Sequence, residues 1–182
     1  MNDPFASRPA PDEYAEFYAG YVGQVPDGSV MDTLAAGAKH TLGLVAGLTE
    51  ARAGHRYAPG KWSIKEVVGH VIDSERVFAY RGLCFARNDR TPLPGFDENA
   101  YVAVAGFDPR PLAELASELR LVRAASIALF TSLDEEALAR RGTANDRLHT
   151  ARAVPWIIAG HELHHLDVVS KRYLYTAEVS GR

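Results

Sequence analysis

The sequence predicts an all-α fold, specifically a four-helix bundle. Three observations lead there: four stretches of roughly twenty residues repeat apolar side chains every three to four positions, turn chemistry separates them, and no alternating run has a partner with which to form a sheet. At 182 residues and 47% hydrophobic content, the chain is long enough to bury one sizeable core. No low-complexity tract, repeat or linker divides it, so residues 1–182 are expected to form a single domain.

Residues 1–26 read as a polar N-terminal arm with a short amphipathic helical piece carrying Tyr14, Phe17, Tyr18 and Tyr21. Pro26 to Ser29 supply turn and cap residues for a first helix from about Val30 to Leu48, with Met31, Leu34, Ala38, Leu42 and Val45 along one stripe. The segment ARAGHRYAPGKW resets the chain. Ser63 and Glu66 then form the pattern of a capping box, opening a second helix that runs to about Asn88 with Ile64, Val67, Val71, Val77, Phe78 and Leu83 on its apolar face. A long connection follows, about Asp89 to Pro109, in which YVAVAGF reads as packed loop or a helical turn.

The third helix spans about Arg110 to Ser132 and carries Leu112, Leu115, Leu119, Val122, Ile127 and Phe130. LDEEALARRGTANDRLH reads as an irregular connection holding at most one helical turn. The fourth helix starts near Thr150 as N-cap and ends around Leu174, with Pro155 in its first turns, where a missing amide donor costs little. The second helix should be about 39 Å long, a distance that the connection after it can cover when extended. The expected order is therefore up-down-down-up, with a long crossover between helices two and three rather than a hairpin.

The 20 basic residues are scattered among 23 acidic ones for a net charge of -3, which gives no reason to expect nucleic-acid binding. No apolar run approaches the ~20 residues of a membrane span, and MNDPFASRPAPDEY is too polar and proline-rich for a secretory signal. The chain reads as cytoplasmic, with no membrane partner. One cysteine, Cys84, excludes an internal disulfide and reads as a small buried apolar residue.

Function is carried by histidine spacing. In GHELHHLDVV, His161 and His165 lie four residues apart and so stack on one helix face, close enough to share a cation. A third ligand comes from His70 in GHVIDSERVFAY. His70 lies ~10 Å into the second helix and His165 ~14 Å before the end of the fourth, so antiparallel packing brings both to one layer. Three neutral imidazoles leave a coordination position open, as in catalytic sites, and suit Zn²⁺, Ni²⁺ or Fe²⁺. His164 points about 100° away from this face, and His40, His55 and His149 do not share the spacing.

The string from His161 to His165 also matches HExxH, which raises a zinc-protease reading with Glu162 as general base. The metzincin extension would need glycine and histidine where Val168 and Lys171 stand, so that reading is disfavoured. Glu66, Asp73, Glu75, Glu162 and Asp167 are candidates to orient the imidazoles. Trp62, Tyr80, Arg76, Arg81 and Phe96 are candidate pocket residues.

Three separated blocks, YAPGKWSIKEVVGHVIDSERVFAYR, TPLPGFDENAYV and IIAGHELHHLDVVSKRYL, resemble the DinB/YfiT-like family of bacterial metal-binding four-helix proteins. The resemblance implies an up-down-down-up bundle, commonly a homodimer, with one divalent metal per chain held by His70, His161 and His165. It also implies a small-molecule substrate and either S-transfer or isomerisation with a low-molecular-weight thiol such as bacillithiol or mycothiol, or metal-dependent hydrolysis; a non-enzymatic metal-binding or stress-response protein is the remaining alternative. An open metal position can lower the pKa of either a thiol or a water, so the physics accommodates both chemistries.

Overall fold

The computed structural model describes residues 3–174. Four long helices form the bundle: α2 (Val30–Ala46), α4 (Ile64–Ala86), α6 (Leu112–Thr131) and α8 (Ala153–Val168). Shorter pieces decorate it: α1 (Ala19–Gln24), α3 (Glu50–Ala53), α5 (Glu98–Ala105), α7 (Glu135–Ala139), and strands β1 (Arg141–Ala144) and β2 (Arg147–Thr150). The chain leaves α8 through a π-helical segment, Val169–Leu174. All four long helices lie where the periodicity puts them, within a few residues at each end.

Local chemistry explains the boundaries that matter for the site. The Ser63 hydroxyl accepts the Glu66 amide at 3.0 Å and the Glu66 carboxylate accepts the Ser63 amide at 2.8 Å, completing the capping box at the start of α4. The Ser63 hydroxyl also donates to Asp108 at 2.6 Å, tying that start to the segment just before α6. At α8 the Thr150 hydroxyl accepts the Ala153 amide at 3.1 Å, as expected of a capping residue.

Side-chain contacts define the helix directions. His70 lies against His161 and His165, while Gly82, further along α4, lies against Val154, so α4 and α8 are antiparallel. Glu75 meets Arg123 and Gly82 meets Phe130, so α4 and α6 run the same way. Thr41 meets Glu162, and Arg52 beyond α2 binds the Tyr173 carbonyl beyond α8, so α2 and α8 are parallel. The chain between α4 and α6 accordingly returns along the bundle, with α5 placed on the way.

Two connections are more ordered than the sequence reading expected. YVAVAGF contributes to α5, two turns of helix capped by Asp97 and stopped by Gly106, whose φ of 65° is the left-handed conformation favoured for glycine. Its short length and alternating apolar residues hid the helical period. The second correction is GTANDRLH, which is a β-hairpin and not irregular chain. Arg141 pairs with Thr150 and Ala144 with Arg147, and Asn145 and Asp146 make the two-residue turn at φ 50° and 59°. Such a turn requires positive φ at both central residues, which Asn and Asp tolerate better than most. A parallel bridge from Leu93 to Ala144 anchors the hairpin to the segment after α4.

The N-terminal arm is fastened to the bundle. Arg8 donates to the Val22 and Val25 carbonyls, each at 2.7 Å, and Arg152 pairs with Glu13. Helix α1 lies so close to α8 that a Cβ at Gly160 would sit 2.0 Å from the Tyr21 carbonyl oxygen. Backbone cannot yield there as a flexible side chain could. Replacing Gly160 with Ala should therefore push α1 off α8, lowering the melting temperature and increasing protease cleavage in the arm; an unchanged melt and cleavage pattern would refute this packing argument.

Candidate metal centre

The bundle directions bring the three predicted histidines together. His70 Nε2 lies 3.0 Å from His161 Nε2, and His165 Nε2 lies 3.1 Å from the same atom. One nitrogen from each ring falls in a group whose members all lie within 4.8 Å of one another. Around a tetrahedral cation with bonds of about 2.0–2.1 Å, ligand atoms stand roughly 3.3 Å apart, close to the two shorter separations. With each ring proton on Nδ1, all three Nε2 lone pairs are available to a cation. The trio fits a divalent cation of the zinc, nickel or iron type.

Electrostatics keeps these rings available as ligands. Burial pushes the His70 imidazole down to about 4. Burial together with His70 and His164 pushes His165 to about 3, and burial with the other three histidines holds His161 well below its ordinary value. All three are neutral at pH 7, as metal ligation requires. Aromatic rings frame them: Trp62 lies 4.8 Å from His70 between centroids and stacks over His165 at 6.5 Å. Tyr21 and Phe78 meet His161 edge-on at 5.5 and 5.8 Å.

The carboxylates proposed to orient the imidazoles are engaged elsewhere. Glu66 belongs to the capping box and binds Arg56, Asp73 pairs with Arg76, and Asp167 pairs with Lys171. Glu162, the candidate general base, accepts from Thr41 at 2.8 Å and from Arg123 at 2.9 Å. Its side chain is 3% exposed and faces the bundle interior, opposite the role that HExxH would give it. Glu75 receives Arg123 through Nε at 2.9 Å and Nη2 at 2.8 Å, a bidentate pair. The polar group nearest an imidazole Nδ1 is the Ser74 hydroxyl, 3.5 Å from His70.

Arg123 was absent from the sequence reading. Its signal was a charged residue in the buried stripe of α6, between Leu119 and Phe130. Burial alone would lower its pKa, but Glu75 and Glu162 more than offset that and keep the guanidinium protonated.

The trio lies at the floor of a cleft of about 880 Å³. Of the predicted pocket residues, Trp62, Arg81 and Phe96 line it; Tyr80 is exposed and Arg76 pairs with Glu118 and Asp73. Walls that the sequence did not reveal come from Phe17, Tyr18 and Tyr21 of the arm and from Asn145, Arg147 and His149 of the hairpin. Cys84 is buried as expected. No helix among the described residues is long and apolar enough to cross a membrane.

The sequence matches the DinB superfamily over residues 33–169, a span that includes all three histidines. The chain belongs to this superfamily. Its fold is shared with YfiT from Bacillus subtilis, described as a probable metal-dependent hydrolase with an unusual four-helix bundle topology, at a TM-score of 0.68 and 17% identity over 94% of each chain. A mycothiol-dependent maleylpyruvate isomerase aligns at a TM-score of 0.63 and 16% identity, over 76% of this DinB-superfamily chain and 58% of the isomerase. Comparison with curated proteins finds no match.

Two outcomes follow from the geometry. Protein purified without a histidine tag should carry close to one divalent metal per chain by elemental analysis, and alanine at His70, His161 or His165 should cut that sharply; a metal-free protein that takes up none on addition would overturn the assignment. The metal-free protein should also be acid-sensitive. His70, His149 and His165 have folded-state values of about 4, 4 and 3 against about 6.5 when unfolded, so the unfolded chain binds more protons between those limits. Stability should be full above pH ~6.5 and fall steadily toward pH ~4, and a flat melting temperature across that window would contradict it.

Proposed function

We propose that this protein is a divalent-metal-dependent enzyme that activates a low-molecular-weight thiol, of the bacillithiol or mycothiol kind, for S-transfer to a small electrophile. The carrying observation is the cleft above the trio: about 880 Å³ is near the upper end of the ~300–1,000 Å³ typical of small-molecule sites and admits a thiol and an electrophile together. A cation bound there would supply Lewis acidity, lowering the pKa of a group that enters its open position.

The chain's own residues hold and shield that position. His70, His161 and His165 present neutral nitrogens, and Trp62, Tyr21 and Phe78 pack around the rings, limiting their rotation and their contact with water. Glu162 acts on the site indirectly: its bonds to Arg123 and Thr41 fix the rotation of α8 and so the direction of its two histidines. We further propose that the protein works in the cytoplasm as a homodimer.

Hydrolysis is the second reading, supported by the likeness to YfiT over nearly the whole chain. Incubating metal-loaded protein with bacillithiol and an epoxide or haloalkane separates the two. Thiol-dependent product formation that disappears in His161→Ala is the expected result. Turnover without thiol would replace transfer with hydrolysis, and bound metal with neither activity would leave a metal-binding role alone.

A further inference from the structure

Three basic side chains are buried among the described residues: Lys65, Arg81 and Arg123. Lys65 has Glu50 at 2.6 Å and Arg123 has two carboxylates. Arg81, 6% exposed, forms no ion pair with a carboxylate among the described residues. Its Nη2 donates to the Pro94 carbonyl at 2.7 Å, and its guanidinium lies over the Phe78 and Phe96 rings, 5.8 Å from each centroid. Tyr18 and His149 complete its surroundings; burial raises the Tyr18 phenol, and burial and Arg81 hold His149 neutral. A buried guanidinium thus makes its direct contacts with uncharged groups, an expensive arrangement without an anion in contact.

The guanidinium is not sealed in the core. Arg81 lines the cleft that contains the trio, and none of its nitrogens is both fully buried and without a partner. Glu16, Glu98 and Asp146 line the cleft as well, yet none forms an ion pair with it. On α4, His70, Ser74, Phe78 and Arg81 follow at intervals of four, four and three residues, one continuous helix face. The Phe78 ring lies between Arg81 and the trio, 5.8 Å from the Arg81 guanidinium and 5.8 Å from the His161 ring on α8.

We propose that Arg81 recognises a carboxylate on the small molecule whose other end reaches the histidine trio. Arginine's planar fork matches a carboxylate bidentately, and the flanking Phe78 and Phe96 faces hold the guanidinium flat while excluding water. The site therefore selects carboxylate-bearing molecules long enough to reach past the Phe78 ring from Arg81 to the trio. This deepens the metal-enzyme reading by naming a substrate class, and rests on that reading only for the end of the molecule at the trio.

The test compares ω-mercaptocarboxylates of two to five methylenes with mercaptoalcohols of equal length. Binding is measured by NMR titration on metal-free and cobalt-loaded protein, in wild type, Arg81→Met and Arg81→Lys. In the wild type the best carboxylate should bind roughly tenfold or more tightly than its alcohol, as expected for a charge-assisted bond. Arg81→Met should erase that preference and leave alcohol affinity and cobalt content unchanged, while Arg81→Lys, keeping charge without the fork, should retain only part of it. No preference in the wild type, or an equal preference in all three folded proteins, overturns the proposal. A preference confined to Arg81-containing protein but with no cobalt uptake upholds the carboxylate site while removing the metal centre; cobalt uptake with no preference does the reverse.

Discussion

One guanidinium ties the bundle together. Arg123 on α6 binds the Leu34 carbonyl on α2, Glu75 on α4 and Glu162 on α8, so a single side chain touches every other long helix. The group is 2% exposed and shared between two carboxylates, one of which, Glu162, also accepts from Thr41. Such a network adds little net stability over well-packed apolar groups, but it punishes misalignment heavily, because any slip strands a buried charge. Its effect is directional: with Glu162 locked inward, His161 and His165 must turn toward the cleft.

Much of the site was legible in the sequence because helical spacing converts directly into geometry. His161 and His165 fall one turn apart, and His70 reaches the same layer once α4 and α8 oppose each other, so spacing arithmetic sufficed for the floor of the site. The Ser63 and Glu66 cap was equally readable, since both bonds are local. What escaped notice depended on tertiary partners. Glu75 and Glu162 read as groups that orient the imidazoles, and only the fold shows them to be partners of Arg123; Arg81 reads as a pocket residue, but its surroundings are set by segments distant in sequence. The hairpin was hidden because Asn145-Asp146 is a weaker turn signal than Asn-Gly, and its strands are only four residues each.

The centre and its surroundings differ in electrical character. Toward the bundle interior the imidazoles are backed by two carboxylates that share the single Arg123 guanidinium, while along the cleft α4 presents Arg81, which forms no ion pair among the described residues. A bound molecule would experience a gradient between these ends in a region shielded by aromatic rings, where fields are less screened than in bulk water. Orientation of a ligand would then be set by charge before any covalent step, leaving the aromatic walls to govern shape.

The hairpin turn at Asn145 and Asp146 carries a different consequence. Both residues are exposed at the cleft rim with positive φ; the Asn145 amide donates to the Leu93 carbonyl at 3.0 Å and its side chain lies against Gly95, while Asp146 projects beyond that anchor. Floor and rim are thus built under separate constraints, the floor by four interlocked helices and the rim by an exposed turn held through backbone hydrogen bonds, which leave the Asp146 side chain unconstrained by packing. A scaffold arranged this way can change the side chains at its rim while the histidine cluster on its floor stays fixed.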